Sequence, residues 1–337
     1  MKFPVYEGNG NRQPDELLKM LPTSPRFRLL KPENYIADSG LKDACNVALL
    51  LGQPLLVTGE PGTGKTQLAY SLAWELGLDQ PLKFETKSTS IARDLFYTCD
   101  SLKRFQDMQS GVASTKFLDY ITFQALGWAI LRTKNPDEIK DLLPLEILHS
   151  QKVRSVVLID EIDKAPRDFA NDLLNELELM YFRVPELGNE KIAADQKLQP
   201  IVIITSNSEK DLPDAFLRRC IYYNIPFPKT ERLAEIVANR LGINADSSSP
   251  FLQAALNLFS RLRSPQSGLR KKPATAELLG WLIILKKFTR ESENPLIQPE
   301  VVFATLSSLI KTAEDQEKAK KVVEQWIQEQ AKTTYIG

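Results

Sequence analysis

Gly59-Glu60-Pro61-Gly62-Thr63-Gly64-Lys65-Thr66 reads G-x-x-x-x-G-K-[ST] without a mismatch. Before it stands Pro54-Leu55-Leu56-Val57-Thr58, a short apolar run of strand type. After it, Gln67 to Leu76 carries apolar residues at helical spacing, and Gly77 sits where a helix C-cap belongs. Strand, glycine loop and helix in that order predict a phosphate-binding loop, because loop N–H groups and the helix N-terminus together attract an anion. Lys65 is then expected to reach the β- and γ-phosphates, and the Thr66 hydroxyl to hold Mg²⁺.

Three further stretches carry candidate chemistry. Val156-Val157-Leu158-Ile159-Asp160-Glu161 is an apolar run ending in two carboxylates, the pattern of a Walker B strand. Asp160 is expected to hold Mg²⁺ and Glu161 to orient and polarise the attacking water. The plainer alternative is a core strand running into an acidic turn. Ile201 to Asn207 is a second buried strand with a polar end. Either Asn207 positions water or the γ-phosphate, or Thr205 and Ser206 merely cap the next turn. Leu212-Pro213-Asp214-Ala215-Phe216-Leu217-Arg218-Arg219 ends a short helix on two arginines. They either favour the helix C-terminus or act as a finger on a transferring phosphate.

Glycine loop, Asp160-Glu161, Asn207 and Arg218-Arg219, in that order, resemble the AAA+ ATPases over roughly residues 35 to 290. Within that class, Leu212 to Arg219 and the long segment before the Asp160 strand look like the MoxR branch. The resemblance implies a P-loop AAA+ core, a parallel sheet sandwiched by helices, followed by an all-α lid domain. It implies ATP and Mg²⁺ as cofactors and a homo-oligomeric ring, expected as a hexamer. A protein client or a companion with a von Willebrand A-type domain follows from it too. By position, Arg219 matches the finger that family members supply to a neighbouring subunit, with Arg218 as companion, and Tyr35-Ile36 matches residues that contact adenine. The family's second sensor falls at Leu269-Arg270-Lys271-Lys272-Pro273-Ala274-Thr275. There the register leaves Arg270, Lys271 and Lys272 open, with Lys272 taken as the contact; a solvated basic loop is the alternative.

The remaining chain narrows the field. With 43 basic and 43 acidic residues in 337, bulk charge gives no argument for nucleic acid or a membrane surface as partner. Cys45, Cys99 and Cys220 are odd in number and scattered, which excludes a disulfide framework and a zinc ribbon and suits a reducing cytoplasm. The first residues lack the apolar stretch of a signal peptide, and no run is long enough for a membrane helix. Five proline residues by position 32 suggest an extended arm over 1–34. Strand signals near 54–58, 82–86, 155–160, 201–206 and 220–225 alternate with helices, giving a nucleotide-binding α/β domain over 35–228. A helical insertion is expected around 87–150, in which the apolar pattern of Phe117 to Leu131 is either interface or core. Helices alone follow, over 229–337. His149, the single histidine, has no partner for metal or triad chemistry and receives no role. The leading expectation is a remodelling ATPase. Its rivals are an ATP-gated binding switch with little turnover and, more weakly, a small-molecule kinase.

Overall fold

The computed structural model describes residues 31–111, 117–142, 150–208, 212–241, 250–288, 296 and 298–334. They fall into two compact units, one of Tyr35–Glu60 with Gly64–Pro226 and one of residues 31–34, Pro61–Thr63 and the described residues from Phe227 onward. The described strands are β1 Leu55–Gly59, β2 Leu82–Glu85, β3 Tyr97–Cys99, β4 Ile121–Phe123, β5 Val156–Asp160, β6 Tyr181–Val184, β7 Glu190–Ala193, β8 Ile201–Thr205 and β9 Ile221–Ile225. Five of them form one sheet in the order β2-β5-β8-β1-β9, and every pairing is parallel.

Burial along these strands explains their composition. Val156 and Leu158 enter the core on one face, with Leu55, Val57 and Ile203. Val157 and Ile159 enter the core on the other, with Leu56, Val202 and Ile204. Both faces are dry, so an unbroken Val/Ile/Leu run is the only composition that fits, whereas a half-exposed strand would alternate. Because β8 lies between β5 and β1, the carboxyl ends of all three open side by side, the position where ligands bind in such sheets. The sheet and its covering helices give the fold expected for a P-loop AAA+ core.

The helix Ser39–Leu51 starts where Asp38 accepts a hydrogen bond from the Leu41 N–H at 2.9 Å. Tyr223 Oη donates to the same carboxylate at 2.5 Å. Its ring comes so close to Gly40 that an added Cβ would lie 2.7 Å from the hydroxyl, so a side chain there would displace the end of Tyr223.

The segment 87–150 differs from a purely helical insertion. It contains the antiparallel pair β3–β4, joined by the helix Ser101–Ser110, and a second helix, Ala125–Leu131. Three-residue strands are too short to show alternation in sequence. The Phe117–Leu131 pattern resolves as core: Leu118, Tyr120, Ile121, Leu126, Ala129 and Ile130 are buried. Gly127 sits against the Phe96 carbonyl, whose oxygen would be 2.0 Å from a Cβ. The β6–β7 hairpin is a further element the sequence reading passed over, with Phe182 and Val184 inward and Arg183 outward. His149 lies outside the described residues, as do 1–30 of the expected arm.

The second unit is helical: Thr230–Leu241, Pro250–Arg263, Thr275–Phe288, Pro299–Thr305 and Ala313–Thr334. Trp281 and Trp326 anchor its core, and each buried indole N–H finds an acceptor, Thr305 Oγ1 and Asn257 Oδ1, both at 2.9 Å. Among the described residues no helix is long and apolar enough to cross a membrane.

Candidate functional site

The glycine loop leaves β1 through backbone that only glycine adopts without strain. Gly59, Gly62 and Gly64 have φ of 142°, 80° and 92°. Gly64 is constrained twice, since a Cβ there would also lie 3.1 Å from the Tyr35 ring. It is the N-cap of the helix Lys65–Glu75 and brings no capping side chain, so the first-turn N–H groups have none of the usual side-chain competition for an anion. Lys65 is buried, and its Nζ donates to Gly59 O at 2.7 Å, Glu60 O at 3.1 Å and Asn207 Oδ1 at 3.1 Å. Burial lowers its pKa, opposed by the charges of Asp163, Glu161 and Asp160.

Across the strand ends, Asp160 Oδ1 accepts from Thr66 Oγ1 at 2.9 Å and from Thr205 Oγ1 at 2.8 Å. Its Oδ2 is 3.1 Å from Lys83 Nζ, on the neighbouring strand β2. The chain then turns sharply. Glu161 has φ 56°, a left-handed conformation rare for a side chain of this type, and its N–H donates to Thr205 Oγ1 at 2.9 Å. One threonine hydroxyl thus ties Asp160 and Glu161 to β8. The Glu161 carboxylate is partly exposed and pairs with Lys164, whose pKa the Glu161 hydrogen bond and charge raise.

Asn207, just beyond β8, meets Asp163 as well as Lys65. Asp163 Oδ1 accepts from the Asn207 N–H at 3.1 Å, and Oδ2 accepts from Asn207 Nδ2 at 3.3 Å. Ser206 Oγ is 3.1 Å from the same carboxylate. The structure therefore brings together Lys65, Thr66, Asp160, Glu161 and Asn207, all singled out in the sequence. Three groups beside them were missed there: Asp163, Thr205 as a tie rather than a cap, and Lys83. Of these, the sequence showed Asp163 as one more acid of the turn after Asp160.

The other candidates stand differently. Arg219 Nε donates to Glu178 Oε2 at 2.8 Å and its Nη1 to Ala215 O at 3.1 Å, so here it serves the last turn of the helix Asp214–Leu217. Arg218 is exposed, and Ile36 is half-buried. In the helical unit Arg270 reaches Glu314 at 3.3 Å, while the backbone N–H groups of Arg270 and Lys271 donate to Asp315 at 2.9 and 3.0 Å. Lys272 is exposed.

A sheet of this order with loop lysine, strand-end aspartate and polar β8 terminus in contact defines a P-loop nucleotide-binding domain. Residues 55–228 match the family model described as "ATPase family associated with various cellular activities (AAA)", and the chain belongs to that family. The family generally hydrolyses ATP with Mg²⁺ and commonly assembles into rings. No curated protein matches the chain. Among solved structures, two RuvB mutants of Thermotoga maritima are similar. One is 16% identical, with 85% of this chain and 74% of that chain covered at a TM-score of 0.46. The other is 15% identical, with 86% and 75% covered at 0.44.

Proposed function

We propose that this chain is an ATP-hydrolysing, Mg²⁺-dependent AAA protein of the MoxR branch. In this reading it assembles as a homo-oligomeric ring, a hexamer, and remodels a protein client or works with a von Willebrand A-type companion. The supporting observation is the convergence of Lys65, Thr66, Asp160 and Asn207 at adjoining strand ends.

The residues fit the cofactors. Thr66 and Asp160 place a hydroxyl and a carboxylate oxygen 2.9 Å apart, a hard oxygen pair suited to Mg²⁺. The loop from Gly59 through Glu60, Pro61, Gly62 and Thr63 to Gly64 supplies backbone N–H groups for phosphates, and Lys65 a partly desolvated cation. Mg²⁺, when bound, neutralises charge developing on the phosphates. Glu161 orients the attacking water, Asn207 positions it, and Tyr35 and Ile36 hold adenine. Arg219, with Arg218 beside it, completes the site of an adjacent subunit, and Lys272 serves as second sensor. The assignment divides the chain into an arm, 1–34, a nucleotide-binding domain, 35–228, and a helical lid, 229–337. Three free cysteines suit a reducing cytoplasm.

One contact favours the slower alternative, an ATP-gated switch with little turnover. Lys164 pairs with the Glu161 carboxylate, an exposed contact worth about 0–1 kcal/mol that has to give way when that group orients water. ATP turnover measured against protein concentration separates the two. Specific activity that climbs as the protein assembles supports the ring ATPase; flat, negligible turnover with intact nucleotide binding supports the switch. Lys65→Ala should abolish the nucleotide-dependent melting shift, which for a ligand at a hundred times Kd is worth about 2.7 kcal/mol.

A further inference from the structure

Asp163 is used by neither the metal nor the water-orienting roles, yet three groups of the β8 terminus converge on it. A carboxamide is nearly symmetric in shape but not in chemistry: one end accepts hydrogen bonds and the other donates. An ionised carboxylate accepts only. Asp163 Oδ2 can therefore face Asn207 only through Nδ2, at 3.3 Å, which leaves Oδ1 toward Lys65 Nζ at 3.1 Å. Rotating the amide by half a turn would set two oxygens against each other at Asp163 and an N–H group against the Lys65 ammonium. Both contacts would repel. The Asn207 backbone N–H, held by Asp163 Oδ1 at 3.1 Å, fixes the residue's position as well as its orientation.

We propose that Asp163 is a positioning residue that fixes the Asn207 carboxamide so that it presents its oxygen to the reaction site. Asn207 then acts as an acceptor, for Lys65 or for the attacking water, and does not donate to a phosphate oxygen. This inference rests on the ATPase reading and adds to it the polarity of one contact.

Exchanging the two residues tests it. In Asp163→Asn the amide of Asn207 loses its orientation, and in Asn207→Asp two carboxylates oppose each other. Each single variant should lower kcat roughly tenfold to a hundredfold, the size of a lost hydrogen bond to a charged group, with a much smaller change in KM for ATP. In the double variant Asp163→Asn/Asn207→Asp the asparagine donates and the aspartate accepts. Net charge is unchanged and an oxygen again faces Lys65, so kcat should recover by about tenfold over either single variant. A double variant no faster than the slower single, at matched melting temperatures, overturns the proposal. Should the variants not fold, the parent protein decides through ¹⁵N spectra of the Asn207 side chain. Slow exchange of its carboxamide protons supports the bond to Asp163, and exchange at the solvent rate overturns it. Lys65→Ala run beside them separates the two levels: persistent turnover there sinks the ATPase reading, while a dead Lys65→Ala with no rescue sinks only the role of Asp163.

Discussion

Thr66 Oγ1 lies 2.9 Å from Asp160 Oδ1, a contact between residues 94 positions apart that joins the start of the loop helix to the end of β5. In the proposed reading it preforms two oxygens for one Mg²⁺. Thr66→Val keeps the size and removes the hydroxyl, so nucleotide should still bind through the loop while the Mg²⁺-dependent part of the binding disappears. Expected is a melting shift with ATP and Mg²⁺ no larger than with ATP and EDTA, and turnover down by at least about tenfold. A parent-like Mg²⁺ increment in the variant would remove Thr66 from the metal site.

Lys83 offers a prediction of opposite sign. Its ammonium is 3.1 Å from Asp160 Oδ2 and 2.7 Å from Glu85 Oε1. Burial works against this charge, yet the hydrogen bonds and charges of Glu85 and Asp160 outweigh it and raise the Lys83 pKa. Where Asp160 holds Mg²⁺ as proposed, a resident cation on its carboxylate competes with the metal. Partly exposed pairs contribute about 1 kcal/mol, so Lys83→Met should lower the half-saturating Mg²⁺ concentration, read from the ATP-dependent melting shift, by up to roughly fivefold. An unchanged or higher midpoint would show that Lys83 supports the carboxylate instead of competing for it.

These two residues mark what local sequence carries and what it does not. Thr66 and Asp160 were legible because each sits at a fixed offset in a local pattern: a glycine loop after β1, and a fully buried run ending in an acid at β5. Lys83 carries no such mark, for a lysine between Leu82 and Phe84 looks like the solvent side of a strand. Only the register pairing Glu85 with Asp160 brings it to the Asp160 carboxylate. Asp163 was visible as one more acid in a turn; its hydrogen-bond partner Asn207 lies 44 residues on. β3 and β4 escaped for a different reason. They pair with each other across the helix Ser101–Ser110, and their burial comes from tertiary packing rather than from their own periodicity.

The buried thiols give the fold a pH dependence. Burial, with the charges of Glu75 and Asp38 adding to it, pushes Cys45 up to about 11, and burial alone pushes Cys220 up to about 12. An unfolded thiol ionises near about 8.5. Above that pH the unfolded chain releases protons that the native protein still holds, so stability is full below about 8.5 and is lost as pH rises toward the native values. Urea midpoints should fall between pH 8 and pH 10, with each buried thiol contributing on the order of 1 kcal/mol to the loss. Cys45→Ala should flatten part of that fall. An equal fall in parent and variant would show that Cys45 takes no part in it.

Arg219 separates a site shared between subunits from a self-contained one. Its guanidinium pairs with Glu178 at 2.8 Å, and both side chains are substantially exposed. Exposed pairs of this kind contribute only about 0–1 kcal/mol, so the contact is a weak tether that, in the proposed ring, a phosphate of a neighbouring subunit replaces. A finger is worth roughly 10³- to 10⁵-fold in phosphoryl transfer, so on the proposed assignment Arg219→Ala should be nearly inactive, as should Glu161→Gln, which keeps size but loses the charge proposed to orient water. Mixed in one assembly, the two variants create junctions where an intact Glu161 meets an intact Arg219, and part of the activity should return. A finger serving its own chain gives no such rescue. Co-assembly is established first by pull-down of one tagged variant with the other, and turnover is then measured at several ratios. Proven mixed rings that stay inactive at every ratio, while doping wild-type protein with either variant lowers turnover only in proportion, would place Arg219 outside the neighbour's site.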